Sequence, residues 1–149
     1  MKLDDINWSI LHCLQQNARQ TNTEIARKVG ITSPAVSERI HKMEDFGIIE
    51  GYFTKVSYFK TNHQLKAIIT LRVFMGRLKP FMEKVKEFNE VINCYRITGN
   101  ENIFMEVVLK NQQHLQQFID QLINYGETKT HIVLSNIVEN NPIVKSVHL

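Results

Sequence analysis

The stretch TNTEIARKVGITSPAVSERIHKMEDFGII, residues 21–49, decides the fold of the N-terminal part of the chain. Thr21 followed by Glu24 forms a capping box, in which each side chain accepts a hydrogen bond from a backbone N–H at the start of a helix. Gly30 can adopt the left-handed conformation that ends a helix. Pro34 suits the first turn of the next helix, because its missing N–H costs no hydrogen bond there. The pattern predicts two short helices joined by a tight turn, which is a helix-turn-helix.

The second helix of this motif is expected to bury one face and expose the other. Val36, Ile40 and Met43 recur at helical spacing and predict the buried face. The opposite face carries short polar and charged side chains, which suit entry of a recognition helix into the major groove of DNA. A solvated helix surface is the alternative explanation of the same pattern. The candidate DNA contacts on this motif are Thr23, Arg27, Lys28, Thr32, Ser33, Pro34, Ser37, Glu38, Arg39, His41 and Lys42.

Basic side chains are concentrated on the motif, although the formal net charge of the 149-residue chain is only +3. Between residues 21 and 43 the acids are Glu24 and Glu38 alone. A local cluster of cations can contact phosphates even when the whole protein is nearly neutral. Arg39 has two interpretations, because it is offset from the exposed face. It either pairs with a helix carboxylate as structural support or contacts DNA.

A further helix is expected before the motif. Asp4 suits its N-cap, and Ile6, Ile10 and Leu14 recur at the spacing of one buried face. Three helices around a shared core predict a small DNA-binding domain over residues 1–50.

Strand and helix patterns alternate in the rest of the chain. Residues 51–65 begin with GYFTKVSYF, whose aromatic and β-branched residues predict a strand and then a hinge. The later strands are expected at 66–75, 91–98, 103–109 and 128–138, with helices opening at Pro80 and after Asn111. This order of elements is the split βαβ, or ferredoxin-like, arrangement. The predicted fold class is therefore α+β, with a helix-turn-helix domain followed by a ferredoxin-like βαββαβ domain over residues 66–149.

A sheet of this kind has both helices on one face, so the apolar side chains on its other face must be buried by another surface. Ile68, Phe74, Tyr95 and Phe104 are expected there, and they form a larger apolar surface than a soluble monomer normally exposes. We predict that this face is buried by sheet-to-sheet homodimerisation. A twofold dimer also supplies two recognition helices for two half-sites.

The motifs of common enzymes and metal sites are not found in the sequence. Cys13 and Cys94 lack CxxC spacing, and neither a phosphate-binding glycine loop nor GxSxG occurs. The longest apolar runs are far shorter than the ~20 residues of a membrane helix. The opening residues MKLDDIN carry acids where a secretory signal has basic and apolar residues. We therefore expect no enzyme activity, no cofactor, no metal and no membrane partner.

Several segments together resemble the Lrp/AsnC, or feast/famine, transcription regulators: LDDINWSIL, NAR, TEIARKVGIT, SPAVSERIHKMEDFGIIEGY, CYRITG and THIVLS. These segments span nearly the whole chain. The resemblance implies that the N-terminal half binds double-stranded DNA. It implies that the C-terminal half, a RAM-type domain, dimerises, assembles into octamers or similar multimers and often binds an amino acid. It also implies a cytoplasmic, nucleoid-associated protein of a bacterium or archaeon that bends or wraps its operator.

In that family the small molecule lies between dimers, near the turn after the second strand and the start of the last strand. By resemblance the effector-binding residues are Gly99, Asn100, Glu101, Asn102, Thr130, His131 and Ile132. Many members have an aromatic residue and then an aspartate in this turn, where the present chain has Glu101 and Asn102. Asparagine brings no charge for the ammonium group of an amino acid. Either Glu101 supplies that charge, or the segment is a plain hairpin turn.

The sequence thus predicts a DNA-binding transcriptional regulator that is sequence-specific, homo-oligomeric and modulated by an amino acid or related small molecule. Two alternatives stay open. One is a ligand-independent architectural DNA-binding protein of the same fold. The other is a ferredoxin-like small-molecule-binding module whose helical half contacts other proteins.

Overall fold

The structure is a computed structural model that describes residues 1–146, and it contains two compact units. The N-terminal unit comprises residues 1–54 together with 138–146, and the sheet unit comprises residues 55–137. The predicted domain over 66–149 differs from this division at its C-terminal end. Residues from 138 onward group with the N-terminal unit because they contact its first helix, and residues 147–149 lie outside the described part of the chain.

The N-terminal unit contains three helices, α1 (Asp5–Gln16), α2 (Asn22–Val29) and α3 (Ser33–Asp45). Asp4 caps α1 as predicted, its carboxylate accepting from the N–H of Asn7 at 2.7 Å. The helices share one core, formed by Ile10, Leu11, Cys13, Ile25, Ala26, Val36, Ile40 and Met43. The predicted buried face of α3 is therefore confirmed.

The local signals of the helix-turn-helix are all present. Thr21 and Glu24 form the reciprocal capping box at the start of α2. Gly30 ends α2 in the left-handed conformation at φ 75°, which a residue with a Cβ adopts only at a cost. Thr32 caps α3 by accepting from the N–H of Ala35, and Pro34 lies in the first turn of that helix.

Residues 51–57, which span the boundary between the two units, and residues 138–146 lack regular structure. Residues 51–57 form no strand, so the strand predicted for GYFTKVSYF is wrong for the single chain. A strand needs a hydrogen-bonded neighbour, and sequence pattern alone does not supply one. Residues 138–146 return to α1, where the Gln15 amide exchanges two hydrogen bonds with the backbone of Ile143, at 2.7 and 3.0 Å. Lys145 also pairs with Asp5 at 2.6 Å.

The sheet unit confirms the predicted ferredoxin-like arrangement. Its elements are β1 (Leu65–Val73), α4 (Leu78–Lys84), β2 (Val91–Arg96), β3 (Ile103–Leu109), α5 (Gln112–Leu122) and β4 (Gly126–Ile132). The four strands pair antiparallel in the order β2-β3-β1-β4. β4 ends earlier than predicted, because Ile132 pairs with Ala67 close to the start of β1. Short 3-10 turns occur at Phe59–Thr61 and Val85–Glu87.

Both helices of the sheet unit pack on one face of the sheet. Ile69 and Leu71 alternate along β1 and are fully buried together with Phe81 of α4 and Phe118 of α5. Phe88 and Phe118 meet edge to face with ring centroids 5.3 Å apart. Each such side chain contributes roughly 1.5–3 kcal/mol of hydrophobic stabilisation, so this face organises the unit.

The other face of the sheet is less apolar than the sequence predicts. Ile68 and Phe104 lie there half-buried, and the Tyr95 ring lies beside that of Phe104 with the two ring planes tilted by 51°. Lys66 and Glu106 form an ion pair on the same face at 3.4 Å. Phe74 does not belong to this face as a strand residue, because β1 ends at Val73. Within residues 1–146, none of the helices is long and apolar enough to cross a membrane.

Candidate DNA interface and effector pocket

The predicted recognition residues lie on the solvent-facing side of α3 and on its N-cap. Pro34, Glu38, His41 and Lys42 are exposed on α3, whereas Ser33 and Ser37 are half-buried near its start. Short side chains at this end allow the helix backbone to approach phosphates and base edges. α3 therefore presents a surface whose N-terminal half is small and polar.

One ion pair and one histidine–carboxylate contact lie on the exposed face of α3. Lys42 Nζ donates to Glu38 Oε1 at 2.6 Å, one helical turn away. This hydrogen bond, first, and the positive charge of Lys42 hold the pKa of Glu38 below its ordinary value. His41 Nδ1 lies 3.2 Å from Glu44 Oε2. The face is therefore a mixed-charge surface and not a cationic one.

Tyr52 ties the chain that leaves α3 back to that helix. Its hydroxyl donates to Glu44 Oε1 at 2.8 Å. Burial, the hydrogen bond and the charge of Glu44 raise the pKa of Tyr52 to about 12. The phenol therefore keeps its proton and its donor role throughout the physiological pH range.

Arg39 lies on α3 but is directed at α1. Its Nη1 donates to both carboxylate oxygens of Asp4, at 2.7 and 3.0 Å, and to Asn7 Oδ1 at 2.9 Å. The side chain is 30% exposed. Of the two interpretations of Arg39, the structure shows the pairing with a helix carboxylate, so this predicted DNA contact is a structural support in the free protein.

The predicted contacts on α2 are exposed near its two ends. Thr23 lies in the first turn, and Arg27 and Lys28 lie in the last turn. Cations at the C-terminal end of a helix also interact favourably with its dipole. Arg27 and Lys28 are exposed, and Lys28 Nζ donates to Gln20 Oε1, whereas Arg39 is directed at α1 and Lys42 is paired with Glu38.

The turn after β2 borders a cavity of about 150 Å³ in the sheet unit. Six residues from β1, this turn and β4 surround it. They are Arg72, Asn100, Glu101, Glu127, Thr128 and Lys129. Two of the predicted effector residues, Asn100 and Glu101, therefore border this cavity.

The other predicted effector residues have different positions. Thr130, His131 and Ile132 pair with residues 67–69 of β1, farther along the sheet than the cavity. Asn102 faces the end of β1, where its side-chain oxygen accepts from the N–H of Val73 at 3.0 Å. Asn102 therefore links the turn to β1, and Glu101 is the acid of the turn that borders the cavity.

Four cavity residues were not predicted from the sequence. Arg72, Glu127 and Lys129 alternate with buried or half-buried neighbours on β1 and β4, which is a visible strand pattern. Their meeting point depends on the register, which pairs Arg72 with Glu127. Sequence pattern alone does not give that register.

Every charged group around the cavity has an ionic partner. Arg72 Nη2 donates to Glu127 at 2.9 Å, and Lys129 Nζ donates to Glu101. The hydrogen bond from Lys129, first, holds the pKa of Glu101 below its ordinary value. Two carboxylates and two cations around one small space can bind a molecule that carries both charges, provided that these pairs exchange partners.

Comparison with known protein families matches both units. Residues 3–44 match the AsnC-type helix-turn-helix domain, and residues 66–143 match the Lrp/AsnC ligand binding domain. The chain is 34% identical over 134 residues to YezC of Bacillus subtilis, described as an uncharacterized HTH-type transcriptional regulator. That match covers 90% of this chain and 95% of YezC.

Solved structures share the same architecture. The structure of LrpC from Bacillus subtilis superposes with a TM-score of 0.89 at 28% identity, and the match covers 93% of this chain and 99% of that chain. A transcriptional regulator from Neisseria meningitidis, solved as a complex with L-Met, gives a TM-score of 0.90 at 24% identity. This second match covers 95% of this chain and 96% of that chain, and at that identity it shows the fold alone.

Proposed function

The chain belongs to the Lrp/AsnC family of transcriptional regulators, and we propose that α3 is the helix by which it recognises its operator. It is a DNA-binding regulator and not an enzyme. We place it in the cytoplasm of a bacterium or archaeon, in association with the nucleoid. There it bends or wraps the DNA that it regulates.

The observation that carries this proposal is the construction of α3. The helix begins at a threonine N-cap, buries Val36, Ile40 and Met43, and exposes its opposite side. Ser33 and Ser37 keep the N-terminal half of that side small. Residues near the N-terminus of a recognition helix commonly contact base edges.

Phosphate contacts are assigned to the cations of α2. Arg27 and Lys28 lie together in the last turn of that helix, and neither belongs to the ion pairs of α3. Cations that neutralise phosphates release counterions, so DNA affinity falls as salt rises. The salt dependence of binding is therefore expected to come from α2 more than from α3.

A homodimer is proposed as the DNA-binding species. The helix-free face of the sheet carries the exposed Tyr95 and the half-buried Phe104 beside the ion pair of Lys66 and Glu106. Docking of two such faces about a twofold axis covers the aromatic pair and supplies two recognition helices. Assembly of dimers into an octamer or a similar multimer is the further step that we propose.

The effector proposed for this protein is a free amino acid or a related molecule that carries both a positive and a negative charge. Support comes from the cavity beside Glu101, with two carboxylates and two cations around it. The relative from Neisseria meningitidis was solved with L-Met. The alternative is a ligand-independent architectural protein of the same fold, which is favoured by the fact that the charges around the cavity are already paired.

A gel-shift titration with the region upstream of the protein's own gene tests the proposal. We expect a retarded complex at low salt, a change in affinity with one member of a panel of amino acids, and oligomers in native mass spectrometry. Unchanged affinity across the whole panel would favour the architectural alternative. Absence of any shift at low salt would contradict DNA binding and favour an interaction module.

A further inference from the structure

The exposed face of α3 carries an ion pair whose two charges lie side by side. Lys42 and Glu38 are 2.6 Å apart, and their side chains are 57% and 68% exposed. Positions four residues apart share one face of a helix. The pair therefore lies on the surface that, under the proposed function, enters the major groove.

The remaining charges of α3 are directed elsewhere or lie at its end. Arg39 is bound to Asp4 of the α1 cap, and Glu44 is held by Tyr52. A carboxylate in the groove of DNA is repelled by the phosphates and loses hydration, so it reduces affinity wherever no base donor meets it. Glu38 therefore contributes to selection between base pairs and not to general affinity for DNA.

The major-groove edge of a G·C base pair matches this ion pair. N4 of cytosine donates, whereas O6 and N7 of guanine accept. N4 and O6 are hydrogen-bonded to each other within the base pair, so they lie about 3 Å apart. The spacing of Glu38 and Lys42, 2.6 Å, is similar.

An A·T base pair is a poorer match for the same two side chains. It also places a donor, N6 of adenine, beside an acceptor, O4 of thymine. Thymine, however, offers the ammonium group one acceptor next to its methyl group, where guanine offers two acceptors. The ion pair therefore discriminates in favour of G·C.

We propose that Glu38 and Lys42 together select one G·C base pair in each half-site of the operator. Glu38 accepts from N4 of cytosine, and Lys42 donates to O6 and N7 of guanine. This inference rests on the proposed function of α3 and names the base pair that its exposed face selects.

Selection of duplexes from a random-sequence DNA library by the full-length protein tests this inference. The variants are Glu38→Gln and, as a control, Asp45→Asn, which removes the same charge from the last turn of α3. We expect the wild type and Asp45→Asn to enrich the same G·C position in each half-site. Glu38→Gln is expected to shift that position towards A·T, because glutamine binds N6 and N7 of adenine, with roughly a tenfold loss of the G·C preference.

A second measurement tests the proposed hydrogen bond from N4 of cytosine to Glu38. Replacing the selected cytosine by N4-methylcytosine puts a methyl group where the donor proton lies, so wild-type affinity is expected to fall by roughly tenfold. The affinity of Glu38→Gln for the same two duplexes is expected to change little. Far-UV circular dichroism of both variants verifies that α3 is intact.

The outcomes separate this inference from the proposed function. Identical motifs for the wild type and Glu38→Gln, or equal effects of N4-methylcytosine on both, would overturn the inference and leave DNA binding by α3 in place. Enrichment of no sequence by the wild type would overturn both.

Discussion

The carboxylate of Asp4 caps α1 and also binds the guanidinium of Arg39 on α3. It accepts from the N–H of Asn7 at 2.7 Å and from Arg39 Nη1 at 2.7 and 3.0 Å. One side chain thus caps the N-terminus of α1 and holds α3 against it. The orientation of the proposed recognition helix therefore depends on a contact that is offset from its exposed face.

Replacing Arg39 by Met is expected to destabilise the N-terminal unit by about 1–3 kcal/mol. Asn7 is only 2% exposed, and its side-chain oxygen loses the donor that Arg39 provides. Urea unfolding followed by fluorescence of Trp8, the one tryptophan of the chain, measures the change.

Lys42→Met is the matched control for Arg39→Met. Lys42 is exposed on the same helix, so its replacement is expected to alter stability by less than about 0.5 kcal/mol. Equal stability of the two variants, with a smaller salt dependence of DNA binding for Arg39→Met alone, would show Arg39 to be a phosphate ligand instead.

Acid is expected to weaken the N-terminal unit through Asp4 and Glu24. Hydrogen bonds from backbone N–H groups, of Asn7 and of Thr21 respectively, hold the pKa of each carboxyl below its ordinary value of 3.8 or 4.5. Since the folded pKa is the lower one, the stabilisation is complete above the ordinary values and is lost as pH falls through the folded values. The urea concentration at the unfolding midpoint should therefore decrease as the pH is lowered below about 5.

The variant Glu24→Gln identifies the contribution of the capping box to this acid sensitivity. Its urea midpoint should be lower than that of the wild type at pH 7, and the difference should shrink as the pH falls towards 3. A difference that stays constant over this range would mean that the charge of Glu24 plays no part.

Gly126→Ala is expected to destabilise the sheet unit by about 1–3 kcal/mol. A Cβ at this position would lie 2.3 Å from the carbonyl oxygen of Arg72, and both atoms belong to paired strands that cannot separate without loss of hydrogen bonds. Gly51→Ala is the control, because its nearest neighbour at 3.3 Å is the ring of Phe53, a side chain that is 91% exposed. Calorimetric melting of the two variants tests this difference, and equal melting temperatures would contradict it.

Arg27→Ala is expected to weaken binding to all DNA sequences by a similar factor. Loss of one phosphate contact reduces the slope of log K against log salt by about 0.9 per protomer. Fluorescence anisotropy at several salt concentrations measures the slope, with Lys84→Ala of the sheet unit as the control. If the slope of log K against log salt is the same for Arg27→Ala as for the wild type, Arg27 does not contact a phosphate.

Arg72→Gln is expected to reduce the affinity for an amino-acid effector by roughly tenfold or more, because the carboxylate of the ligand loses a charged donor. Isothermal titration with the amino acid that alters DNA affinity measures the loss. Lys84→Gln, a cation of the same unit away from the cavity, should bind as the wild type does. Equal affinities of the two variants would exclude Arg72 from the effector site.

Features that depend on neighbouring residues were predictable from the sequence. Thr21, Glu24 and Gly30 define α2 by chemistry that spans ten residues, and the structure shows each in the expected role. Asp4 and Asn111 were likewise identified as caps of α1 and α5. Helix caps are local, because the side chain and the N–H that it binds lie within one turn.

Features that depend on distant residues were not predictable. The contact of Arg39 with Asp4 joins positions 35 residues apart, and the cavity forms only when the register pairs Arg72 with Glu127. The strand expected from residue 51 has the right composition but lacks a hydrogen-bonded neighbouring strand among residues 1–146. These features depend on tertiary packing and strand pairing, which hydrophobic periodicity does not specify.

The return of residues 138–146 to α1 has a consequence for synthesis on the ribosome. The sheet unit, residues 55–137, lies between the two segments of the N-terminal unit. At 5–20 residues per second the ribosome needs roughly 4–17 s to translate it. During that time α1 lacks the partners of Gln15 and Asp5. The unit that is begun first is thus completed last.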